Sequence, residues 1–454
     1  MKEKIQQYEK MTATPVNRLI LRLALPSIVT MLINNIYNLV DTAFVGRLGT
    51  SASGAVGVVF GFMSILQAIG FMFGSGCGSI LSRALGRHDK ESASLHASAG
   101  FFGSFLVGLL ITAVGFLFLD RTVMLLGSTE TIAPYAKTYI SYILAAAPFM
   151  CSSLVMNNIL RYEGKAVLGM IGLMTGAVLN MAGDPILMFG LNMGIAGAGL
   201  STAVSQLISW GILLIMFLGG QTSSKLNLSL GLHAAPAVHG NIIATGMPSL
   251  LRQGLQSVNT VLLNVLCAPY GDAAIAGMSI VSRIIFFAFS AAIGVGQGLQ
   301  PVSAFNYGAK RYSRVRKGYR FTLAAAEIIM AVGCAAILIF SEKLIGIFRD
   351  DPAVIAVGTR ALRLQAVAYL FLPVCMTTEM LYQSTGHRTG ASFLAALRSG
   401  LLSIPMLLIF SKLRGLAGIQ EAQPVAIVLS IPVAVVFAVL FFKRLPSEDV
   451  QPVI

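Results

Sequence analysis

The sequence predicts an all-α integral membrane protein: twelve transmembrane helices in two six-helix lobes related by a parallel pseudo-twofold repeat. Composition is the first reason. Of 454 residues, 56% are hydrophobic and only 11% charged, against about 25% charged in soluble domains; the mean hydropathy is +0.79. The second is length. Apolar stretches of roughly 20 residues or more, enough to cross about 30 Å of hydrocarbon as helix, recur from end to end. The third is self-similarity: shifted by 222 residues, the chain lays Pro26 on Pro248, Gly49 on Gly271, Gly74 on Gly296, Gly76 on Gly298, Gly86 on Gly308 and Gly164 on Gly386.

The expected spans are 18–45, 53–81, 97–119, 135–160, 166–189, 196–219, 241–268, 273–303, 319–340, 353–384, 389–411 and 422–442. The charged opening MKEKIQQYEK leads into a span too long for a signal-peptide core, so the first helix is expected to be retained. Six spans per copy is an even number. Both copies therefore enter the membrane from the same side, with the repeat axis along the membrane normal. The longest polar interruption, GQTSSKLNLSLGLHAAPAVHG (220–240), sits where the copies meet; lobes at 1–220 and 241–454 joined by a cytoplasmic linker at 221–240 are expected. His233 and His239 in this loop read as solvated bystanders rather than metal ligands. The 46 glycines suit helices packed closely in lipid.

Basic residues set the orientation. Lys310, Arg311, Arg314, Arg316, Lys317 and Arg320 cluster in one loop, and Arg83, Arg87 and Lys90 at the matching place in the first copy. This positive-inside pattern puts both termini in the cytoplasm and the chain in the cell membrane. A net charge of +14 is then accounted for by orientation and by anionic membrane lipid, and no nucleic-acid partner is expected. The five cysteines lie apart in apolar runs without metal-ligand spacing and read as packing residues. The chain has no GxxxxGK[ST] phosphate loop, no HExxH and no DDxxD, so neither ATP hydrolysis nor enzymatic chemistry is expected, and no cofactor is implied.

Polar residues inside the spans carry the functional signal. Asn34, Tyr37, Asn38 and Asp41 follow i, i+3, i+4, i+7 and share one stripe of the first helix. A carboxylate in hydrocarbon is costly unless it faces a cavity, has a partner or takes up a proton. Asn180 and Asp184 on the fifth span, Ser153 and Asn157 on the fourth, and Thr202 and Gln206 on the sixth repeat the pattern at i, i+4. Together they could supply oxygens to a bare cation, including sodium at Asp41, Asn180, Asp184 and Thr202, or hydrogen bonds that set a protonation state. Pro26, fifteen residues before Asp41, permits a bend and is a candidate hinge. Met31, Met63, Met174 and Met181 are candidate adaptable lining for a substrate. In the second copy, Glu379 takes the place of Asn157 and Leu263 that of Asp41. Glu379 and Gln256 mark a possible second polar site, unless Arg398 or Arg283 neutralises the glutamate.

PSIVTMLINNIYNLVDTAFVGRLG (26–49), NNILRYEG (157–164), LNMAGDP (179–185) and GQGLQPVSAFNYGAKRYSRV (296–315) resemble the multidrug and toxic compound extrusion (MATE) transporters over nearly the whole chain. The resemblance implies two six-helix lobes that export organic cations and other amphipathic drugs against proton or sodium flow. It implies the coupling role of the DinF-like branch for Asp41, with companions at Asn157, Asn180, Asp184 and Thr202. The span-seven glutamate of the NorM-like branch, eight residues after a proline, is replaced by Gln256 after Pro248, which favours coupling in the first lobe.

The combined expectation is a monomeric antiporter. Asp41, assisted by Asp184 and Asn180, holds a proton or sodium ion in alternation with an amphipathic cation contacted by Tyr37, Asn34 and Asn38. The alternative is a flippase for a lipid-linked oligosaccharide, which would want a basic cavity rather than an acidic stripe.

Overall fold

The computed structural model describes residues 2–449, which form helices and short connections without a strand among them. In order they are α1 (Lys2–Ala13), α2 (Val16–Gly46), α3 (Thr50–Gly86), α4 (Lys90–Leu117), α5 (Leu119–Leu125), α6 (Ala133–Tyr162), α7 (Ala166–Pro185), α8 (Ile195–Leu218), α9 (Leu228–Leu232), α10 (Pro236–Cys267), α11 (Asp272–Gly308), α12 (Tyr312–Phe348), α13 (Pro352–Tyr369), α14 (Leu372–Thr385), α15 (Arg388–Ala396) and α16 (Ser403–Arg444). π-helical turns extend α7 through Ile186–Gly190 and join α15 to α16 through Leu397–Leu401.

Among the described residues nine helices are long and apolar enough to cross a membrane, and α13 with α14 makes a tenth crossing bent by 51°. The bend falls where Pro373 opens α14, a position that needs no backbone N–H. One of the nine runs 57 residues, Arg388–Arg444, and is two spans meeting at Gly415, whose φ of 59° and ψ of −135° interrupt the helix. Only glycine adopts that conformation readily, and a Cβ there would also meet the Tyr270 hydroxyl at 2.9 Å. α10 carries Arg252, Gln253, Gln256 and Asn259, which lower its hydropathy. With α10 counted and the long helix divided, the layout is consistent with twelve spans. α10 begins inside the expected linker, because Pro236 starts a helix that the polar composition of 221–240 concealed.

The chain forms two compact units: Met1–Tyr8 with Val29–Leu250, and Glu9–Ile28 with Leu251–Ile454. The cuts fall within α2 and α10, two residues beyond Pro26 and Pro248, and are related by the same 222-residue shift. The opening half of each repeat's first long helix thus packs in the other repeat's unit, a difference from lobes divided only at the linker. The recurrent glycines have their reason here. A Cβ on Gly76 of α3 would overlap the Ile242 carbonyl of α10, and one on Gly298 of α11 would meet the Ile20 carbonyl of α2 at 2.7 Å. Each is a backbone-to-backbone approach that any side chain would block.

The first unit's core gathers Leu66, Tyr139, Ile140, Ile143, Leu144 and Cys151 of α3 and α6; the second unit's is built by α10–α16. The segment after α8 is fastened down. The buried Glu163 carboxylate accepts from Ser223 N (2.7 Å), Ser224 N (2.8 Å) and Ser224 Oγ (2.5 Å), and Ser98 Oγ of α4 accepts from Asn227 N. Burial raises the Glu163 carboxyl above the usual carboxylate value, opposed by these donors and by Lys165.

Candidate functional site

Four helices of the first unit meet around two acids. From α2 the i, i+4 pair Tyr37 and Asp41 is buried, while Asn38 is half-buried and Asn34 exposed. From α7 come Asn180 and Asp184, from α8 Ser201 and Thr202, and from α6 Tyr139, all buried. The carboxyl groups of Asp41 and Asp184 lie within hydrogen-bonding reach of each other. The Asn180 amide suits its neighbours in one orientation. Its nitrogen then donates to Asp184 Oδ2 (3.2 Å), and its oxygen faces Ser201 Oγ (3.3 Å) and Thr202 Oγ1 (3.1 Å). Tyr37 and Tyr139 stand within electrostatic range of both acids, and the buried Tyr139 hydroxyl has no hydrogen-bond partner.

The pair is under-compensated. Asp41 Oδ1 and Asp184 Oδ1 are buried without a hydrogen-bond partner, and among the described residues no Lys, Arg or His makes an ion pair with either acid. Two adjacent carboxylates in a low-dielectric site repel strongly, so the arrangement is chemically suited to taking up a positive ion between them. Pro185 follows Asp184 directly and gives way to a π-helical turn. A proline removes one helix N–H there, and π turns often mark functional sites.

Several expected site residues stand elsewhere. Asn157 does not join the acids: it packs against Gly169 near the start of α7, and fifteen residues of helix rise put Asp184 about 22 Å further along. Met63 is 5% exposed and belongs to the first unit's core, so it fills space rather than lining an open surface. Met31, Met174 and Met181 are half-buried. Ser201 and Tyr139 were not singled out from sequence; Ser201 adjoins Thr202, and Tyr139 is a hydroxyl in an otherwise apolar run.

The second unit has a different polar centre. Glu379 of α14 is 1% exposed and pairs with Arg252 of α10, Nη1 to Oε1 at 2.7 Å. Its partner is therefore neither Arg398 nor Arg283; α10 and α14 bring together residues too far apart in sequence for helical periodicity to relate. One turn beyond Glu379, Gln383 accepts from Gln300 Nε2 (3.1 Å). Gln256, one turn beyond Arg252, is exposed and takes no part in the pair.

The MatE family model matches this chain twice, at residues 26–186 and 248–409, more than half the sequence and with the two matches starting at the repeated prolines. The chain belongs to the MATE family of transporters. It is 27% identical over 449 residues to the multidrug export protein MepA of Staphylococcus aureus (strain NCTC 8325 / PS 47), covering 98% of each chain. Its fold matches that of a multidrug resistance MATE transporter in an outward-facing conformation, with TM-score 0.91, 23% identity and coverage of 97% of this chain and 99% of that one. It also matches a Pyrococcus furiosus transporter described as having a binding pocket of reverse polarity, with TM-score 0.90, 23% identity and the same coverage. The MATE assignment makes the protein a multi-pass membrane transporter.

Proposed function

We propose that this MATE protein is an ion-coupled antiporter of the cell membrane, exporting amphipathic, mostly cationic organic compounds by alternating access, with both termini in the cytoplasm. The export role is supported by the 27% identity to the multidrug export protein MepA. Coupling rests on one observation: the buried Asp41–Asp184 pair keeps unpartnered carboxyl oxygens and, among the described residues, makes no ion pair with a Lys, Arg or His. A proton, a sodium ion or the positive group of a substrate would each relieve the same charge, so binding of one disfavours binding of another.

The proton is the coupling ion the geometry favours. Two carboxyl groups this close could share a single proton, whereas a sodium ion bound beside Asp184 would be better served by the Asn180 oxygen than by the nitrogen that faces Asp184. An acidic, unpaired centre is also unsuited to a pyrophosphate headgroup, which weighs against the flippase alternative. Proteoliposomes loaded with ethidium and given a proton or a sodium gradient separately test the reading. Efflux driven by the proton gradient and abolished by Asp41→Asn is expected. Efflux that survives Asp41→Asn undiminished under both gradients would overturn it.

A further inference from the structure

The opening of α2 carries a stripe that its own fold does not use. Arg18, Leu21, Arg22 and Leu25 follow i, i+3, i+4, i+7 and lie on one exposed face, with Leu21 51% and Leu25 64% accessible. The opposite face, Leu19, Ile20, Leu23 and Ala24, is buried. The four residues line a shallow, open depression on the surface. Neither guanidinium has an ion-pair or hydrogen-bond partner among the described residues.

Depth identifies what such a stripe meets. Arg18 and Arg22 lie in the first two turns of α2, a 31-residue span whose start is expected on the cytoplasmic side. The arginines therefore stand at the headgroup level of the cytoplasmic leaflet, with Leu25 a turn deeper among acyl chains. Under the 222-residue shift the corresponding residues are Gly240, Ile243, Ala244 and Met247. The second repeat builds its equivalent half-helix without a charge, so the fold does not require the arginine pair.

We infer that this stripe binds an anionic phospholipid, its phosphate held between Arg18 and Arg22 and its acyl chain lying along Leu21 and Leu25. Guanidinium groups one helical turn apart suit a phosphate diester, and the adjoining leucines select a lipid over a free ion. The stripe belongs to Glu9–Ile28, the part of α2 that packs in the second unit, just before Pro26. The inference is independent of the coupling ion and of the exported compound.

The test reads lipid occupancy directly. The chain has one tryptophan, Trp210; a Trp210→Phe, Leu21→Trp protein in nanodiscs places the only indole on the stripe. Brominated phosphatidylglycerol is expected to quench it at a mole fraction roughly thirtyfold lower than brominated phosphatidylcholine, the preference two basic contacts give near a membrane surface. Arg18→Gln with Arg22→Gln should abolish the difference, Arg18→Lys with Arg22→Lys should keep part of it, and Arg18→Glu with Arg22→Glu should remove or reverse it. Equal quenching by both lipids in the arginine protein, or a preference that survives the glutamine pair, would overturn the inference. So would loss of the preference on adding millimolar inorganic phosphate at constant ionic strength. Elution of each nanodisc variant as a single species guards against misfolding.

Discussion

Where the first unit has Asp41, the second has Leu263, 8% exposed and part of its hydrophobic core. Where the second unit has Glu379, the first has Asn157. Both units bury acid within membrane-spanning helices, but they compensate it differently. Glu379 carries a cation of its own in Arg252, whereas Asp41 and Asp184 each keep a buried oxygen without a partner and, among the described residues, neither makes an ion pair. A carboxylate that is already paired has little to gain from an incoming ion; an unpaired acid pair has much. Among the described residues the duplicated fold thus compensates its buried acids in two ways, one by an internal ion pair and one without any.

The comparison can be broken or sharpened by substitution. Leu263→Asp, which copies the first unit's acid into the second without its polar neighbours, should destabilise the protein by about 4–5 kcal/mol or more, read as loss of a monodisperse peak or of thermal stability in detergent. Arg252→Gln should cost about 3–5 kcal/mol by leaving Glu379 buried and unpaired, and Arg252→Met combined with Glu379→Met should recover most of that loss in thermal melts. Removing one charge of the first-unit pair should act the opposite way: Asp41→Asn keeps or raises the melting temperature while proton-driven ethidium efflux is abolished. Glu163→Ala orphans the buried donors of Ser223 and Ser224 and should cost about 1–3 kcal/mol, visible as faster tryptic cleavage after the exposed Lys225. Asn157→Ala, remote from the acids, should leave ion-dependent efflux within about twofold of the unaltered protein.

Much of this was legible in the sequence, for physical reasons. Span positions follow from apolar length, which any helix in hydrocarbon must satisfy. The polar stripe on α2 follows from the 3.6-residue period, and Asp41 with Asp184 stands out because ionisable groups in spans are costly. Helical period assigns residues to a face but does not say which neighbour that face meets. Periodicity therefore did not distinguish Arg252 from Arg398 or Arg283 as the partner of Glu379, nor did it indicate that α2 changes unit after Ile28. The same limit misplaced Asn157 and Met63: polarity and softness suggested a shared cavity, while helix rise and core packing put them elsewhere. Tyr139 escaped notice because a tyrosine in an apolar run reads as ring rather than hydroxyl.

Proton release on substrate binding tests the coupling most directly. Purified protein in weakly buffered solution, titrated with tetraphenylphosphonium, should release protons in proportion to the cation bound, and Asp41→Asn with Asp184→Asn should abolish the release. Unchanged release from that double variant, or cation binding without any release from the unaltered protein, would contradict a shared, exchangeable charge at the Asp41–Asp184 pair.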